Sequence, residues 1–458
     1  MAGYAFSREP RNVPQIATAH RLIRTAVPTP GTREILERLD AVESRSMHGQ
    51  LPLVWARAED FSIFDAAGNR WIDFTSTIFV ANVGHSNPHV NGAMKAALER
   101  PLASCYAYAN ETRARYLEEL VKFAGPPFEK AFLLSAGTEA TEAALKLMRM
   151  NGQEQGKRRR GIVCIEGNWH GRTLGAQMMS SNLTQRAWIG YQDADIHHIP
   201  FPYPWSLDGK SGAMFLEEGL SRLQEKGIDL AQDVCGFMLE TFQGWGAVFY
   251  PKDFVQAIEA VCRRHGILLC FDEMQAGFAR TGKAFGFQHY DVTPDLICCG
   301  KGMGGGVSLS GVLGRARIMD LPDVGNMSST HSANPLVSAA GLAVLEEIES
   351  RNLIAETARK GRILFAALEG LRERFPLRIA RNLGHGLIAA VVFRHPDTGE
   401  PDSPFTSRVA ERCMQKGLLV VHTGRESIKI GPPLTITDAA LLEGVQVLGE
   451  SIAEIAAE

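Results

Sequence analysis

Apolar positions along the 458-residue chain change their period from segment to segment. In "TREILERLDAVESRSM" (32–47), Ile35, Leu36, Leu39 and Val42 share one face at helical spacing. The stretch "FSIFDAAGNRWIDFTSTIFVANVGH" (61–85) reads as short strands around a turn at "AAGN". From about residue 130 to 320 the pattern becomes repeated strand–loop–helix units, which predicts an α/β domain with a mostly parallel sheet. After "NPLVSAAGLAVLEEIE" (334–349) helical patterns dominate, followed by a strand pair near 387–393 and 418–421 and a last helix from Asp438. This gives three expected segments: 1–95, a large domain over 96–340, and 341–458, with the two flanks combining into a smaller α+β domain.

Composition narrows the function classes. The chain is 45% hydrophobic and 22% charged, with a formal net charge of −3 and the two signs interspersed, so no basic face for nucleic acid is expected. The one basic run, "GKRRRG" (156–161), reads as a solvated loop between a helix and a strand. Eight cysteines occur without a C-x-x-C pair, mostly inside apolar strand patterns, which fits buried free thiols in a reducing compartment better than disulfides or zinc. No apolar run is long enough to span a bilayer, and the N-terminus lacks the apolar segment of a secretory signal. A cytoplasmic protein is expected, without metal, nucleic acid or membrane as partner.

In an open parallel sheet, ligands bind beyond the C-terminal ends of the strands, so the residue after each apolar run is where chemistry collects. "KAFLLSAGTEA" leads into Gly137 and Thr138 at a helix start. "GIVCIEGNWHGRT" leads to Trp169, His170 and Arg172. "VCGFMLETFQG" ends on Glu240, "GILLCFDEMQAG" on Asp272 and "DLICCGKG" on Lys301. Singly, each has an ordinary reading: an N-cap, a packed tryptophan, capping carboxylates, a surface lysine. No G-x-x-x-x-G-K-[ST] occurs and no G-x-G-x-x-G fingerprint links a strand to a helix, which disfavours a nucleoside triphosphatase and a dinucleotide oxidoreductase. Together the residues describe a site for a planar heteroaromatic cation carrying a phosphate and an aldehyde. A carboxylate meets the ring nitrogen, an aromatic covers the ring, a helix N-terminus takes the phosphate, and a lysine forms a Schiff base. Pyridoxal phosphate has these features.

On these residues the chain resembles the class III (ω-) aminotransferases, near the 4-aminobutyrate aminotransferases. "WIDFTSTIFVANVGH", "SAGTEATEAALK", "HGRT", "FDEMQAGFARTG" and "SSTHSANPL" carry the resemblance, over roughly residues 50–450. It implies the type I fold of pyridoxal-phosphate-dependent transferases, the aspartate-aminotransferase fold, and a homodimer or dimer of dimers. It implies that Lys301 forms the Schiff base and moves the proton, that Asp272 pairs with the pyridinium nitrogen, and that Gln275 bonds the phenolic oxygen. Gly137 and Thr138 would hold the phosphate through backbone amides, with Trp169 on the ring, Glu240 in the cofactor site and Thr330 reaching the phosphate from a neighbouring subunit. Ile78 and Arg172 match substrate positions, and Trp245 and Lys429 stand at two further substrate positions with residues the family does not usually have there.

Three departures from the family pattern stand out. "E-P-x-Q-G" reads "ETFQG", with Thr241 for proline. The following position, often glutamate, is Trp245. "R-x-x-P-P-L" reads "KIGPPL", with Lys429 for an arginine fork. The expected activity is transfer of an amino group from an ω-amino acid or primary amine to a 2-oxo acid, 2-oxoglutarate or pyruvate. The alternative on the same fold is a racemase or epimerase, decarboxylase or phospho-lyase.

Overall fold

A computed structural model describes residues 4–458; residues 1–3 of the expected N-terminal segment lie outside it. The chain forms two compact units. The larger comprises 88–244 and 248–354, and the smaller comprises the chain through Asn87, Trp245–Ala247 and Ala355–Glu458. The sequence expectation put the divisions at 95/96 and 340/341. Helices Pro88–Leu98 (α1) and Glu111–Ala124 (α2) both pack against helix Pro335–Ser350, which keeps all three within the larger unit.

The larger unit is built on a seven-stranded sheet: β1 (Lys130–Leu134), β2 (Gly161–Ile165), β3 (Ile196–Ile199), β4 (Val234–Glu240), β5 (Leu268–Asp272), β6 (Leu296–Cys299) and β7 (Ser310–Gly314). Their order is β1-β7-β6-β5-β4-β2-β3. β7 runs antiparallel to both its neighbours and every other pairing is parallel, so the expectation of a mostly parallel sheet holds. β2, β4, β5 and β6 are buried along their whole length, as strands covered on both faces must be. Helix α3 (Gly137–Glu154) lays Ala140, Ala144, Leu147 and Met148 on Ile162, Cys164, Met238, Cys270 and Cys298 of the sheet. All eight cysteines are free and all but Cys105 are buried. No helix among the described residues is long and apolar enough to cross a membrane.

The basic run is a loop that is solvated only in part: Arg158 and Arg160 are exposed, and the other cations are less so. Lys157 is buried and its ammonium donates to the carbonyls of Ala231 (3.0 Å) and His265 (2.9 Å). Arg158 forks onto the buried Asp233, and Arg159 pairs with Asp195. Cations placed before β2 thus satisfy carbonyls and carboxylates at the entry edge of the sheet, a role invisible to a reading by charge alone.

In the smaller unit, β8 (Ile379–His385), β9 (Ile388–Phe393), β10 (Val421–His422) and β11 (Ser427–Ile430) form an antiparallel sheet in the order β8-β9-β11-β10. The expected partner of 387–393 near 418–421 is therefore corrected: β9 pairs with β11, while Leu418–Leu419 joins Arg70–Asp73 in parallel. The apolar pattern reported two buried strands but could not report their partners. The predicted helix at 32–47 forms over Thr32–Val42, yet Ile35, Leu39 and Val42 remain exposed.

Residues 76–79, expected as part of a strand, form a single left-handed turn, with φ of 45°, 52°, 61° and 69°. Each non-glycine residue in that conformation costs about 1–2 kcal/mol, and the surroundings hold it. Asp73, fully buried, accepts the amide of Thr75 on Oδ1 (2.7 Å) and that of Ser76 on Oδ2 (3.0 Å), and His85 Nε2 lies 2.7 Å from the same Oδ2. Ser76 Oγ donates to the carbonyl of Gly431 at 2.6 Å. The register error here follows from reading β-branched residues as strand formers when tertiary anchors override them.

Helix Leu353–Arg374 offers an internal comparison. A Cβ on Gly361 would meet the main chain of Gly386 at 2.7 Å, whereas Gly370 has open space. Gly361→Ala is expected to lower stability by about 1–3 kcal/mol, and Gly370→Ala to raise it by about 0.5–1 kcal/mol. Denaturant titration of both variants checks this; equal effects would show that the contact at Gly361 is not rigid.

Candidate active site

In the larger unit the residues that follow the strands converge. Asp272 closes β5 and is buried. Its Oδ1 accepts the amide of Met274 at 3.1 Å, and its Oδ2 lies 3.0 Å from Nδ1 of His170. The imidazole is itself buried, and its Nε2 has no hydrogen-bond partner among the described residues. Nδ1–H therefore donates to the carboxylate, which fixes the tautomer. The sequence reading had named His170 without a role; its adjacency to Trp169 at a strand end was the available signal.

Glu240 closes β4, in register with Asp272. Its Oε2 accepts the amides of Trp169 (3.0 Å) and Gly244 (3.3 Å). Burial pushes its carboxyl up to about 7, against the pull of His170 and the two amides. Glu240 thus holds the backbone of Trp169, whose ring is half-buried and carries the exposed guanidinium of Arg172 over its face at 4.5 Å. Glu273, absent from the sequence-derived set, is fully buried and anchored by three donors: Thr241 Oγ1 (2.5 Å) and the amides of Gly286 and Phe287 (2.7 Å each). Burial pushes its carboxyl, too, up to about 7.

Lys301 leaves β6 with φ of 46°. A β-carbon there is held in a sparsely populated region, the kind of local strain that a surrounding structure has to over-determine. Gly300 before it is extended, and a Cβ there would lie 2.6 Å from Met274 Sδ. Lys301 is half-buried. Desolvation lowers the proton affinity of its amine, opposed first by Asp272 and then by Glu240. Lys301 is therefore not a freely solvated surface lysine, since both carboxylates act on its charge.

The phosphate-type turn has the donors it needs. Glu139 folds back so that Oε2 accepts the amides of Ser135 (2.9 Å) and Ala136 (3.1 Å). That leaves Gly137 and Thr138, the first two residues of α3, as the helix's outward-pointing N–H groups. Thr138 Oγ1 is committed elsewhere, accepting the amides of Arg172 and Thr173, so only its backbone is offered. A Cβ on Gly137 would press on Met274 Sδ at 2.8 Å, the same sulfur that abuts Gly300. Met274 therefore forms a floor shared by the anion turn and the lysine turn. Thr330 is exposed in a loop whose Ser332 hydroxyl meets Ser135 Oγ at 3.0 Å. Gln275 is half-buried, its amide nitrogen close to the α-carbon of Gly244.

A planar cation with a phosphate and an aldehyde fits these residues: free amides at a helix start, a glycine-lined floor, a half-covered indole, an oriented carboxylate and an amine of lowered proton affinity. Ile78, Trp245 and Lys429 belong to the smaller unit. There Ile78 projects from the left-handed turn, 43% exposed. Lys429 is buried with Nζ 4.5 Å over the ring of Phe79, and Arg425 lies 4.0 Å over the ring of Trp245.

The profile of the family described as aminotransferase class-III matches residues 44–452. The chain is 31% identical over 450 residues to the 4-aminobutyrate aminotransferase of Mycobacterium leprae, covering 95% of this chain and 98% of the relative. It is 32% identical to a 5-aminovalerate aminotransferase of Pseudomonas aeruginosa, covering 92% and 98%. It is also 31% identical to an alanine/serine racemase of Pyrococcus horikoshii, covering 98% and 96%. Among solved structures it is similar to an amine transaminase from an uncultivated Pseudomonas species, solved in a PLP-bound form, with TM-score 0.81, 28% identity, and 90% and 97% coverage. A Bacillus anthracis aminotransferase superposes with TM-score 0.84 at 25% identity, covering 93% and 99%.

The raised carboxyl of Glu273 makes a signed prediction. A carboxyl whose folded value lies near 7, above its ordinary 4.5, binds a proton more tightly in the folded state, so its contribution to stability falls as pH rises from about 4.5 to about 7 and is flat above. Glu273→Gln removes this dependence, at most about 1.4 kcal/mol per pH unit. Denaturation of the cofactor-free protein at pH 5, 6 and 7.5 should show the variant gaining on the wild type across that window. A constant difference would mean that Glu273 is ionised throughout.

Proposed function

The chain belongs to the class III aminotransferase family, and from that premise we propose that it moves an amino group from an ω-amino acid of the 4-aminobutyrate type, or a related primary amine, to a 2-oxo acid, 2-oxoglutarate or pyruvate, with pyridoxal phosphate as its cofactor. The observation that carries this reading is the triangle at the strand ends: Lys301 of lowered proton affinity beside Asp272, itself oriented by His170.

When bound, pyridoxal phosphate supplies an electrophilic aldehyde and a ring that accepts the electron pair left on the substrate carbon. The chain's own residues do the rest. Asp272, whose carboxylate is oriented by His170, is assigned to the ring nitrogen, where it would hold a proton on that atom. The amides of Gly137 and Thr138 take the phosphate, Trp169 covers the ring, Gln275 bonds the phenolic oxygen, and Glu240 keeps Trp169 in place. Lys301 Nζ, neutral for part of the cycle in its desolvated setting, takes the proton from the substrate carbon and returns it on the cofactor side. Arg172, which can leave the indole face for a carboxylate, is assigned to the distal end of an ω-amino acid, and Ile78, Trp245 and Lys429 to the substrate as well.

Thr330 is assigned to the phosphate of a neighbouring copy, within a homodimer or a dimer of dimers. The larger unit supports association: Leu98, Leu102, Tyr106 and Tyr108 are all exposed within one short segment. A cytoplasmic setting suits eight unpaired cysteines.

The racemase relative favours one second reading, in which the same proton transfer at Lys301 returns to the opposite face and no amino group leaves. Purified protein mixed with a panel of amines and no acceptor separates the two. The visible band of the bound cofactor is expected to bleach stoichiometrically with 4-aminobutyrate or a homologue; a band that persists while an amino acid loses optical activity would replace transfer by racemisation. Lys301→Ala is expected to keep the cofactor non-covalently while turnover falls more than about 1,000-fold. Turnover near the wild-type rate would remove Lys301 from the chemistry.

A further inference from the structure

The family-like turn after β4 carries a threonine where the motif usually has proline, and the structure gives that threonine three tasks. Thr241 is 1% exposed. Its hydroxyl donates to Glu273 Oε1 at 2.5 Å, its amide donates to the carbonyl of Asp272 at 3.4 Å, and its carbonyl accepts the Tyr290 hydroxyl at 2.6 Å. Its methyl packs on Gly286, where a Cβ would come within 2.6 Å of it. A proline at this position supplies neither the N–H nor the O–H.

The first two bonds end on consecutive residues of one short path. Asp272, Glu273 and Met274 leave β5 together. Asp272 takes the Met274 amide on Oδ1 and faces His170 with Oδ2. Glu273 is anchored separately by Thr241 and by the amides of Gly286 and Phe287. The aim of the Asp272 carboxylate therefore depends on a main-chain turn whose next residue is pinned by three donors, and Thr241 supplies the only side-chain donor of the three. Without that hydroxyl, a carboxyl already raised to about 7 by burial loses one of the bonds that favour its anion.

We infer that Thr241 is a positioning residue for Asp272: through Glu273 and the Asp272 carbonyl it fixes the 272–274 turn so that the carboxylate meets the ring nitrogen of bound pyridoxal phosphate. This rests on the function proposed above and adds to it a residue at which this chain departs from the motif.

The test uses full-length protein with Thr241→Val, which keeps volume and amide but removes the hydroxyl, and Thr241→Ser, which keeps the hydroxyl. Cofactor-free protein is titrated with pyridoxal phosphate, followed by visible absorbance and visible circular dichroism, alongside kcat and KM. Thr241→Val is expected to weaken cofactor binding about 10-fold or more and to lower kcat with KM for the amine nearly unchanged, while Thr241→Ser restores both. In an Asp272→Asn background, Thr241→Val should add little further loss, since both changes act on one contact. Wild-type affinity and dichroism in Thr241→Val, or losses fully additive with Asp272→Asn, would overturn the inference. Should Thr241→Val not fold, Glu273→Gln carries the same cycle. A wild-type protein that forms no visible band overturns the proposed function and this inference with it; a normal wild-type band unaffected by the valine overturns this inference alone.

Discussion

Three carboxylates buried at the ends of two adjacent strands set the terms for the rest of the larger unit. Glu240, Asp272 and Glu273 lie where parallel strands run out, inside an apolar sandwich, and each must be matched by donors. The donors come from four directions: the segment after β2 (the Trp169 amide and the His170 imidazole), the turn after β4 (Thr241, Gly244), the amides of Gly286 and Phe287, and Met274. Satisfying the acids therefore fixes the loops. The lysine that follows β6 arrives in a place already preset to favour its charge through Asp272 and Glu240 and to penalise it through desolvation. That opposition leaves the amine holding its proton less tightly than a solvated lysine does.

The sheet was legible because buried parallel strands are written as continuous apolar runs, and the residue after each run is then a short list. Lys301, Asp272, Glu240, Trp169 and the Gly137–Thr138 turn all came from that rule. What stayed hidden has a common cause. Glu273 looks like a neighbour of Asp272, and only the tertiary approach of Thr241 and of the 286–287 amides shows that it is an anchor. His170 looks like a second member of a Trp-His pair, and its bond to Asp272 spans 102 residues of chain.

The remaining misreadings follow the same logic. The basic run at 156–161 reads as solvated because one-dimensional charge says nothing about which carbonyls lie underneath. Strand Leu418–Leu419 joins Arg70–Asp73 rather than the 387–393 strand because pairing is decided by partners far apart in sequence, while period only reports burial. At 76–79, two β-branched residues argue for a strand, and Asp73 and Gly431 overrule them through buried hydrogen bonds.

That left-handed turn has a consequence for how such a protein can change. Its conformation is enforced by the Asp73 carboxylate on the amides of Thr75 and Ser76, by the Gly431 carbonyl on the Ser76 hydroxyl and by the Thr77 hydroxyl on the Ser76 carbonyl, and not by the side chain of Ile78. Ile78 is therefore released from the work of holding the backbone. Exchange at Ile78 can alter what the turn exposes without asking it to be rebuilt. A small number of fixed anchors beside a freely variable position is an arrangement in which new specificities can be sampled while the fold stands still.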